Sequence, residues 1–338
     1  MLVVGALLTF ALSVLLTFTL SKPGALLYVP DEPNERSLHE IAVPKTGGVA
    51  LCIAFGFGVC FTGLVYPLPH DFIWVGVAFV LIAVVSFEND RRAMTPLARL
   101  VVHFIAAGLL VHAGLSLQRL TLPGAVWDWS PFIGTAFSVV FVVWWINLYN
   151  FMDGIDGFAG GMTVFGFGTC AVLGVLAEAP AFAALSLMGA SAAAGFLLFN
   201  FPPARLFMGD VGASSLGLLA AVTILWADRA GLFSAWIGVL VFSPFVVDAT
   251  VTLVRRAWKR EKVWLPHKSH YYQRLVQVGW GHRKTVLLEY LLMAAAAASA
   301  VWASTETVSV QGGVIAAWIF VYGALFAGVH VLERRARR

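Results

Sequence analysis

The stretch FIGTAFSVVFVVWWINLYN at residues 132–150 is almost entirely apolar, and it runs directly into the polar sequence FMDGIDG at residues 151–157. An α-helix needs about 20 mostly apolar residues to cross the hydrocarbon core of a bilayer. The stretch therefore predicts a transmembrane helix with a polar motif at the end where the chain leaves the membrane.

Ten further apolar stretches of similar length occur along the chain. Charge is too sparse to coat a soluble surface, because 60% of the 338 residues are hydrophobic and only 12% are charged, whereas about 25% is usual. We therefore predict an all-α fold, a polytopic membrane helix bundle in which residues 1–338 form one integral membrane domain. Residues 1–20 are expected to be a first span and not a cleaved signal peptide, because no charge precedes the apolar run. The eleven predicted spans are residues 1–20, 46–66, 71–87, 97–115, 132–150, 158–177, 181–199, 212–227, 233–254, 285–303 and 311–331.

The lysine and arginine residues predict the orientation of these helices. With the N-terminus outside, the inner loops and their borders hold 20 of the 22 Lys and Arg residues, and the outer loops hold only Arg119 and Arg229. The positive-inside rule then places the N-terminus outside and the C-terminus in the cytoplasm. A basic cluster after the span 233–254 is either part of this topological signal or a site of attraction for anionic phosphates at the membrane surface. It consists of Arg255, Arg256, Lys259, Arg260 and Lys262.

Every dense polar motif falls on the predicted cytoplasmic side. Independent loops of a passive protein would have no reason to share carboxylates, amides and histidines on one face. The distribution therefore predicts a single functional site there. The five motifs occupy residues 31–48, 88–92, 147–157, 200–212 and 266–274.

Two of these motifs carry carboxylates next to glycines. Asp153 and Asp156 follow a predicted helix end, at a spacing that does not match a calcium-binding EF-hand loop. They are either part of the functional site or residues that cap the helix. Asp210 is flanked by Gly209 and Gly212, which let the backbone approach a ligand closely. A lone carboxylate in such a loop suits Mg²⁺, which takes one or two protein carboxylates and completes its shell with phosphates and water. An N-cap of the next span is the alternative for Asp210.

Two histidines and an acid in an apolar run complete the candidate chemistry. His267 and His270 lack further ligands for a zinc site, and in their cationic loop we interpret them as donors to phosphate. Asp248 predicts either a functional acid or a hydrogen bond between helices. Phosphoryl transfer needs charge neutralisation and positioning more than covalent help. These parts together predict phosphoryl transfer, and the membrane location predicts a lipid substrate.

At these five motifs the chain resembles the polyprenyl-phosphate N-acetylhexosamine-1-phosphate transferases. The resemblance runs from about residue 20 to about residue 275, and it depends above all on NFMDGIDG at residues 150–157 followed by ARLFMGDVG at residues 204–212. It implies transfer of a sugar-1-phosphate from a UDP-sugar to polyprenyl phosphate with release of UMP. The implied cofactor is Mg²⁺, with Mn²⁺ as an alternative. The implied location is the bacterial inner membrane, with the active site on the cytoplasmic face.

The resemblance also implies roles for individual residues. Asp210 and Asp153 match the residues of the metal site. Asp90 matches an acid proposed to act on the lipid phosphate, and Phe207 matches the aromatic side chain that stacks on uracil. The residues implied for catalysis are Asp90, Asp153, Asp156, His267 and His270. Those implied for substrate binding are Arg36, His39, Lys45, Asn89, Asn150, Asn200, Arg205, Phe207 and Gly209.

Two details refine this expectation. The loop PHKSHYYQRL at residues 266–275 resembles the branch that begins O-antigen and related glycans on undecaprenyl phosphate, which favours an N-acetylhexosamine or deoxy-aminosugar donor and a role in lipopolysaccharide biosynthesis. One departure is that Asn89 stands where relatives carry the first acid of an Asp-Asp pair. Glu88 could replace that acid, but on a helix it would point about 100° away from position 89. Lys45 stands where relatives often carry Arg.

Two other functions are weighed against this one. A transporter or lipid flippase would predict charged residues and broken helices near the membrane midplane, whereas the polar motifs here lie at one interface. An inactive scaffold is suggested only by Asn89. The expected partners are a UDP-sugar, undecaprenyl phosphate and membrane lipid, without nucleic acid, and a homodimer is left open.

Overall fold

The structure, a computed structural model, describes residues 1–22, 24–25, 27–31, 43–263, 265 and 267–336. Helices joined by loops account for most of this chain, with two small antiparallel hairpins. The helices are α1 Leu2–Leu20, α2 Gly47–Val65, α3 Phe72–Arg91, α4 Pro96–His112, α5 Pro131–Met152, α6 Phe158–Leu176, α7 Pro180–Asn200, α8 Gly209–Arg229, α9 Ala235–Val241, α10 Ser243–Trp258, α11 Tyr271–Leu275, α12 Gly281–Ser304 and α13 Val308–Ala336. The hairpins pair β1 Pro30–Asp31 with β2 Val43–Pro44, and β3 Arg119–Leu122 with β4 Ala125–Asp128.

The predicted all-α, polytopic membrane fold is confirmed, and each predicted span coincides with a helical segment. In the described residues, nine segments are long and apolar enough to cross a membrane, with α11 and α12 counted as one, Tyr271–Ser304. α4 is a shorter apolar helix of 17 residues. The pair α9–α10 is a further span if its two halves are counted together. The number of crossings and the side of each terminus stay predictions.

The predicted span 233–254 is broken, which a hydropathy pattern does not reveal. α9 and α10 meet at Phe242 with a bend of 87°. Pro244 in the first turn of α10 has no backbone N–H, so it cannot continue the hydrogen-bond ladder of α9. The Phe242 ring fills the corner and makes edge contacts with Trp145 and Phe167. The break is thus a packed aromatic corner, unlike the polar midplane breaks of transporters.

α8 is the central helix of the bundle. Of its most apolar 18 residues, 89% are buried, compared with 22% in α13. Gly217 lets α8 lie against α5, because a Cβ atom at this position would come within 2.4 Å of the backbone oxygen of Trp145. Small residues permit this close approach of helices in membranes. The packing brings the first turn of α8 next to the last turn of α5.

One end of the bundle collects the ends of α3, α5 and α7 and the beginnings of α4, α8 and α12. We call it the site end. The last turn of α1 lies there too, since the Thr46 hydroxyl donates to the backbone oxygen of Leu20 at 3.4 Å. The β3–β4 hairpin lies at the opposite end of α4 and α5.

Candidate active site

Three side chains from three helices hold the carboxylate of Asp210 in the first turn of α8. Asn89 of α3 donates to Oδ2 at 2.5 Å, and Arg99 of α4 donates to the same oxygen at 2.9 Å. Asn150 of α5 donates to Oδ1 at 2.8 Å. The sequence motifs that carry Asn89, Asn150 and Asp210 therefore meet at one point, as the single-site prediction requires.

Asp90 lies beneath this cluster and contacts the backbone of α8. Its Oδ1 accepts the N–H of Asp210 at 3.1 Å, and its Oδ2 accepts the N–H of Val211 at 3.2 Å. A carboxylate at a helix N-terminus satisfies otherwise unpaired N–H groups and interacts favourably with the helix dipole. The structure therefore gives Asp90 a positioning contact in addition to its predicted role toward the lipid phosphate.

Gly209 has a φ of +68°, a backbone conformation that L side chains rarely adopt. A Cβ atom there would come within 2.5 Å of the backbone oxygen of Lys45 and 2.8 Å of Asp90 Oδ2. Gly209 thus allows three segments to meet at the start of α8. Its role in substrate binding stays a prediction.

The segment before α2 is fastened to the loop that leads into α8. The N–H of Phe207 donates to the backbone oxygen of Pro44 at 2.8 Å, and the N–H of Gly48 donates to that of Met208 at 2.8 Å. Lys45, in this segment, is half-buried, and its Nζ lies 3.7 Å from Asp31 Oδ1. The predicted binding residues Arg36 and His39 lie outside the described residues.

Asp153 and Asp156 occupy the turn between α5 and α6. Burial, and after it the charges of neighbouring aspartates including Asp210, raises the pKa of the Asp153 carboxyl to about 8. Asp156 is already engaged, because Oδ1 lies 3.1 Å from Nδ1 of His282 and Oδ2 accepts the N–H of Ala204 at 3.0 Å. Asp153 thus lies among other carboxylates, and no cation is among the main influences on its pKa.

Asn200, predicted to bind substrate, is buried and uses both ends of its amide on the backbone. Its Oδ1 accepts the N–H of Gly157 at 3.0 Å, and its Nδ2 donates to the oxygen of Leu206 at 2.9 Å. Asn200 therefore ties the aspartate turn to the loop that carries Arg205 and Phe207. Arg205 is exposed and Phe207 half-buried, so both side chains are accessible to a ligand.

The predicted histidine loop is anchored by Asp248 of α10. Asp248 accepts the N–H groups of Tyr271 at 3.0 Å and Tyr272 at 3.1 Å, and its Oδ1 lies 3.3 Å from Nδ1 of His270. Asp248 could be a functional acid or a residue that hydrogen-bonds between helices, and the structure shows hydrogen bonds from α10 to the start of α11. His270 is only 2% exposed, so it is held in place by this carboxylate.

His267 differs from His270 in its surroundings. The N–H of Ser269 donates to His267 Nδ1 at 3.3 Å, which assigns the hydrogen of the neutral ring to Nε2. Burial, and after it the charges of His270 and Arg256, lowers the pKa of His267 to about 4. At pH 7 His267 is therefore neutral and has one N–H available to donate to an acceptor.

Tyr272 joins the histidine loop to the aspartate turn. Its hydroxyl donates to the backbone oxygen of Phe151 at 3.0 Å. Gly154 makes room for it, because a Cβ atom there would lie 2.1 Å from the Tyr272 oxygen. The two halves of the site, one on α5–α8 and one on α10–α11, are thus directly connected.

Two residues of the site, Arg99 and His282, are not among those predicted from the sequence. Arg99 lies inside the predicted span 97–115, where a charged side chain is costly and marks a functional position, so a signal for it was present. Its Nε is buried and has no hydrogen-bond partner in the described part of the chain. His282, the partner of Asp156, is a single histidine at the start of α12 and carries no such signal.

The carboxylates fit a cation that takes few protein ligands. Among the described residues, no group of three His, Cys, Asp or Glu side chains could hold a metal ion. Mg²⁺ usually binds one or two carboxylates and takes substrate phosphates and water as its other ligands, and Asp210 with Asp153, which interacts electrostatically with it, fits that requirement.

Comparison with known proteins identifies the family. The glycosyl transferase family 4 model matches residues 72–228, the region that contains the Asp210 cluster. A decaprenyl-phosphate N-acetylglucosaminephosphotransferase of Mycolicibacterium smegmatis is 30% identical over 88% of this chain and 81% of the relative. A probable undecaprenyl-phosphate N-acetylglucosaminyl 1-phosphate transferase of Bacillus subtilis is 29% identical over 86% and 82%. A phospho-N-acetylmuramoyl-pentapeptide-transferase of Staphylococcus epidermidis is 25% identical over 95% and 98%.

The three relatives match most of each chain, and the family model spans the helices that build the Asp210 cluster. The chain belongs to glycosyl transferase family 4, among the polyprenyl-phosphate N-acetylhexosamine-1-phosphate transferases, and is a sugar-phosphate transferase.

Proposed function

We propose that the chain transfers an N-acetylhexosamine-1-phosphate or deoxy-aminosugar-1-phosphate from a UDP-sugar to undecaprenyl phosphate, giving undecaprenyl-diphosphate-sugar and UMP. The observation that carries this proposal is the convergence of Asn89, Arg99 and Asn150 on Asp210 at one end of a membrane bundle. The names of the relatives support the polyprenyl phosphate acceptor and the sugar phosphate that is transferred.

In the proposed reaction, an oxygen of the lipid phosphate attacks the sugar-bearing phosphorus of the UDP-sugar. The bond from that phosphorus to the bridging oxygen breaks, and UMP leaves with the bonding electron pair. A phosphate monoester has a second pKa near 6, so at pH 7 the lipid phosphate is largely a dianion and needs no strong base. The main barrier is the repulsion between this dianion and the anionic diphosphate, which makes charge neutralisation the task of the site.

The side chains of the site offer hydrogen-bond donors and a cation site for this task. Arg99 has an Nε beside Asp210 that no described residue contacts by a hydrogen bond, and neutral His267 has an N–H at Nε2. Both can donate to phosphate oxygens. Asp210 and Asp153 would hold Mg²⁺, or Mn²⁺, which when bound neutralises part of the diphosphate charge. Asn89 and Asn150 fix the orientation of the Asp210 carboxylate.

The donor sugar and pathway belong to the same proposal. The relatives at 28–30% identity are all named for N-acetylglucosamine, whereas at 25% identity one relative is named for N-acetylglucosamine and two are named for phospho-N-acetylmuramoyl-pentapeptide. This order favours UDP-N-acetylglucosamine or a related aminosugar as donor. We propose that the product begins a cell-surface glycan such as O-antigen, and that the site faces the cytoplasm of a bacterial inner membrane.

The proposal is tested by supplying membranes that contain the protein with undecaprenyl phosphate, Mg²⁺ and a panel of UDP-sugars, and by measuring UMP release. We expect release from at least one UDP-aminosugar, and its loss when EDTA removes the metal. Asp210→Asn should abolish release, because the amide keeps the shape but not the charge that holds a cation. The matched control is Asp128→Asn, which changes an exposed aspartate at the opposite end of the bundle and should leave the rate unchanged.

Two outcomes would contradict the proposal. If the unmutated protein releases no UMP from any UDP-sugar, the chain is not this transferase under the proposed substrates. If Asp210→Asn turns over near the normal rate while it binds Mg²⁺ as the unmutated protein does, Asp210 is a helix cap and not the cation ligand.

A further inference from the structure

α11 is joined to α12 through a kinked turn. It contains five residues, Tyr271–Leu275, and is followed by a π-helical turn, Val276–Trp280, in which Gly279 has a φ of +93°. α11 follows His270 directly and carries Tyr272, which reaches the aspartate turn. Because the kink at Gly279 separates α11 from the straight part of α12, the elements packed around α11 also help to set its position.

On one side, α10 supplies the anchor. Asp248 accepts the first two N–H groups of α11, and it also accepts the hydroxyl of Thr252 at 3.0 Å. Arg255 donates to the backbone oxygen of Ser269 at 2.7 Å. These contacts fix where α11 begins, and they do not involve Arg274 near its end.

On the other side, the end of α13 grips the last turn of α11. Arg274 donates to both oxygens of Glu333, with Nε–Oε1 and Nη2–Oε2 distances of 2.6 Å. Nη2 also donates to Nδ1 of His330 at 2.9 Å. The ring of Tyr271 stacks on Phe326 with centroids 3.9 Å apart and planes 24° apart, and the Arg274 guanidinium lies over the same Tyr271 ring at 4.4 Å.

The contact between Arg274 and Glu333 requires a specific geometry. Arg274 is only 7% exposed, and a bidentate guanidinium–carboxylate pair fixes both distance and plane. Removing the carboxylate would leave a buried guanidinium with its main counter-charge gone, which is costly. Lysine could not reproduce the fork. The grip of α13 on α11 therefore depends on the identity of both residues.

We propose that the end of α13, residues 326–333, is a positioning element for the histidine loop. Glu333 acts through Arg274 and α11 on His270 and His267, about 60 residues earlier in the chain. We call the contacts of Arg274 with Glu333 and His330 the clamp, and the structure shows them directly. Only the effect of the clamp on donor binding rests on the proposed function.

The first experiment measures the clamp without activity. Hydrogen–deuterium exchange of the purified full-length protein in nanodiscs compares Glu333→Gln with the matched control Arg334→Gln, an exposed neighbour on the same turn. We expect exchange of amides in residues 267–275 to rise about tenfold in the first variant, because local opening becomes easier, and to stay unchanged in the second. The thermal midpoint of both variants shows that the bundle is folded. Unchanged exchange in Glu333→Gln overturns the proposal.

The second experiment separates positioning from general stability. In the UMP-release assay we expect Glu333→Gln to raise the KM for the UDP-sugar about tenfold and to leave the KM for the lipid acceptor unchanged, since misplaced binding groups lose affinity for the group they contact. Arg274→Lys, which keeps the charge, should show the same selective effect at smaller size. Equal changes in both KM values, or none in an active enzyme, overturn the positioning role. If the unmutated protein releases no UMP, the proposed function fails, and the exchange experiment still decides the clamp.

Discussion

Asp90 contacts Asp210 through the backbone and not through its carboxylate. The Asp90 carboxylate accepts the backbone N–H groups of Asp210 and Val211. The direction in which Asp210 projects is therefore set by Asp90 through the first turn of α8. An acid that sequence comparison assigns to the lipid phosphate has, in the structure, a prior task of placing the predicted cation ligand. The two tasks make different predictions for mutants.

Asp90→Asn is expected to weaken metal binding and turnover together. An amide offers one acceptor oxygen where the carboxylate offers two, so one of the two backbone hydrogen bonds is lost. A hydrogen bond to a charged group contributes about 1.5–3 kcal/mol, and its loss lets the start of α8 shift. Titration with Mn²⁺ followed by electron paramagnetic resonance measures the affinity, and UMP release measures the rate. Lost turnover with unchanged Mn²⁺ affinity would show that Asp90 acts on the lipid phosphate alone.

Asn89→Asp should lower the stability of the metal-free protein and raise its affinity for the metal. The Asn89 amide now donates to Asp210, while its oxygen accepts the N–H of Met94 at 2.9 Å. A carboxylate at position 89 would keep the second contact but repel Asp210. We expect a lower unfolding midpoint in EDTA, a larger increase of that midpoint on adding Mg²⁺, and turnover equal to or above that of the unmutated protein. A variant that is less stable both with and without Mg²⁺ would contradict this expectation.

Glu88→Gln tests whether the acid missing at position 89 is replaced by its neighbour. Glu88 makes only partly exposed pairs with Arg91 and Arg92, each at 3.6 Å, and such surface pairs contribute about 0–1 kcal/mol. We expect unchanged turnover and an unchanged unfolding midpoint. A loss of activity here, with Asp90→Asn active, would assign the acid to Glu88.

Gly48→Ala should destabilise the protein through one close backbone contact. A Cβ atom at Gly48 would lie 2.2 Å from the backbone nitrogen of Gly212, so α2 and α8 would have to separate, and overpacking of this kind costs about 1–3 kcal/mol. Gly56→Ala is the matched control on the same helix, because nothing lies within 4 Å of its Cβ position. Thermal unfolding in detergent compares the two. Equal midpoints for both variants would show that the contact is not tight in solution.

The membrane orientation predicts the outcome of reporter fusions. A reporter after residue 338 should be cytoplasmic, and one in the 116–130 loop should be outside. The charge distribution of 20 inner and 2 outer Lys and Arg residues motivates this. The structure places that loop and the Asp210 cluster at opposite ends of α4 and α5. A cytoplasmic signal from the 116–130 loop would reverse the orientation and move the site to the outside.

The helices were predictable because hydropathy is a local property of the chain. A run such as residues 132–150 must be helical in lipid to satisfy its own backbone, whatever surrounds it. The break at Phe242 was not predictable in this way, since Pro244 lies within a stretch whose average composition is still apolar. Whether a proline bends a helix or begins a new one depends on the packing around it.

The site was predictable as a gathering of motifs but not as a set of contacts. Topology alone brings Asn150, Asp153 and Asp210 to one face. It does not show that Asn200 spends its amide on the backbone, or that Arg99 reaches Asp210. Such contacts depend on which polar groups are nearest to each other in space. The rotation and packing of helices that are far apart in the sequence determine those distances.

The right-angled corner at Phe242 constrains how the nascent chain enters the membrane. α9 has seven residues and is about 10 Å long, far short of the roughly 30 Å of the hydrocarbon core, and α10 cannot extend it because it leaves at 87°. Correct placement of this pair must therefore come from neighbours, among them α12, which packs against α9 and is synthesised later. Asp248 lies on α10, so the contacts that hold the histidine loop depend on α12, a helix that is synthesised after that loop.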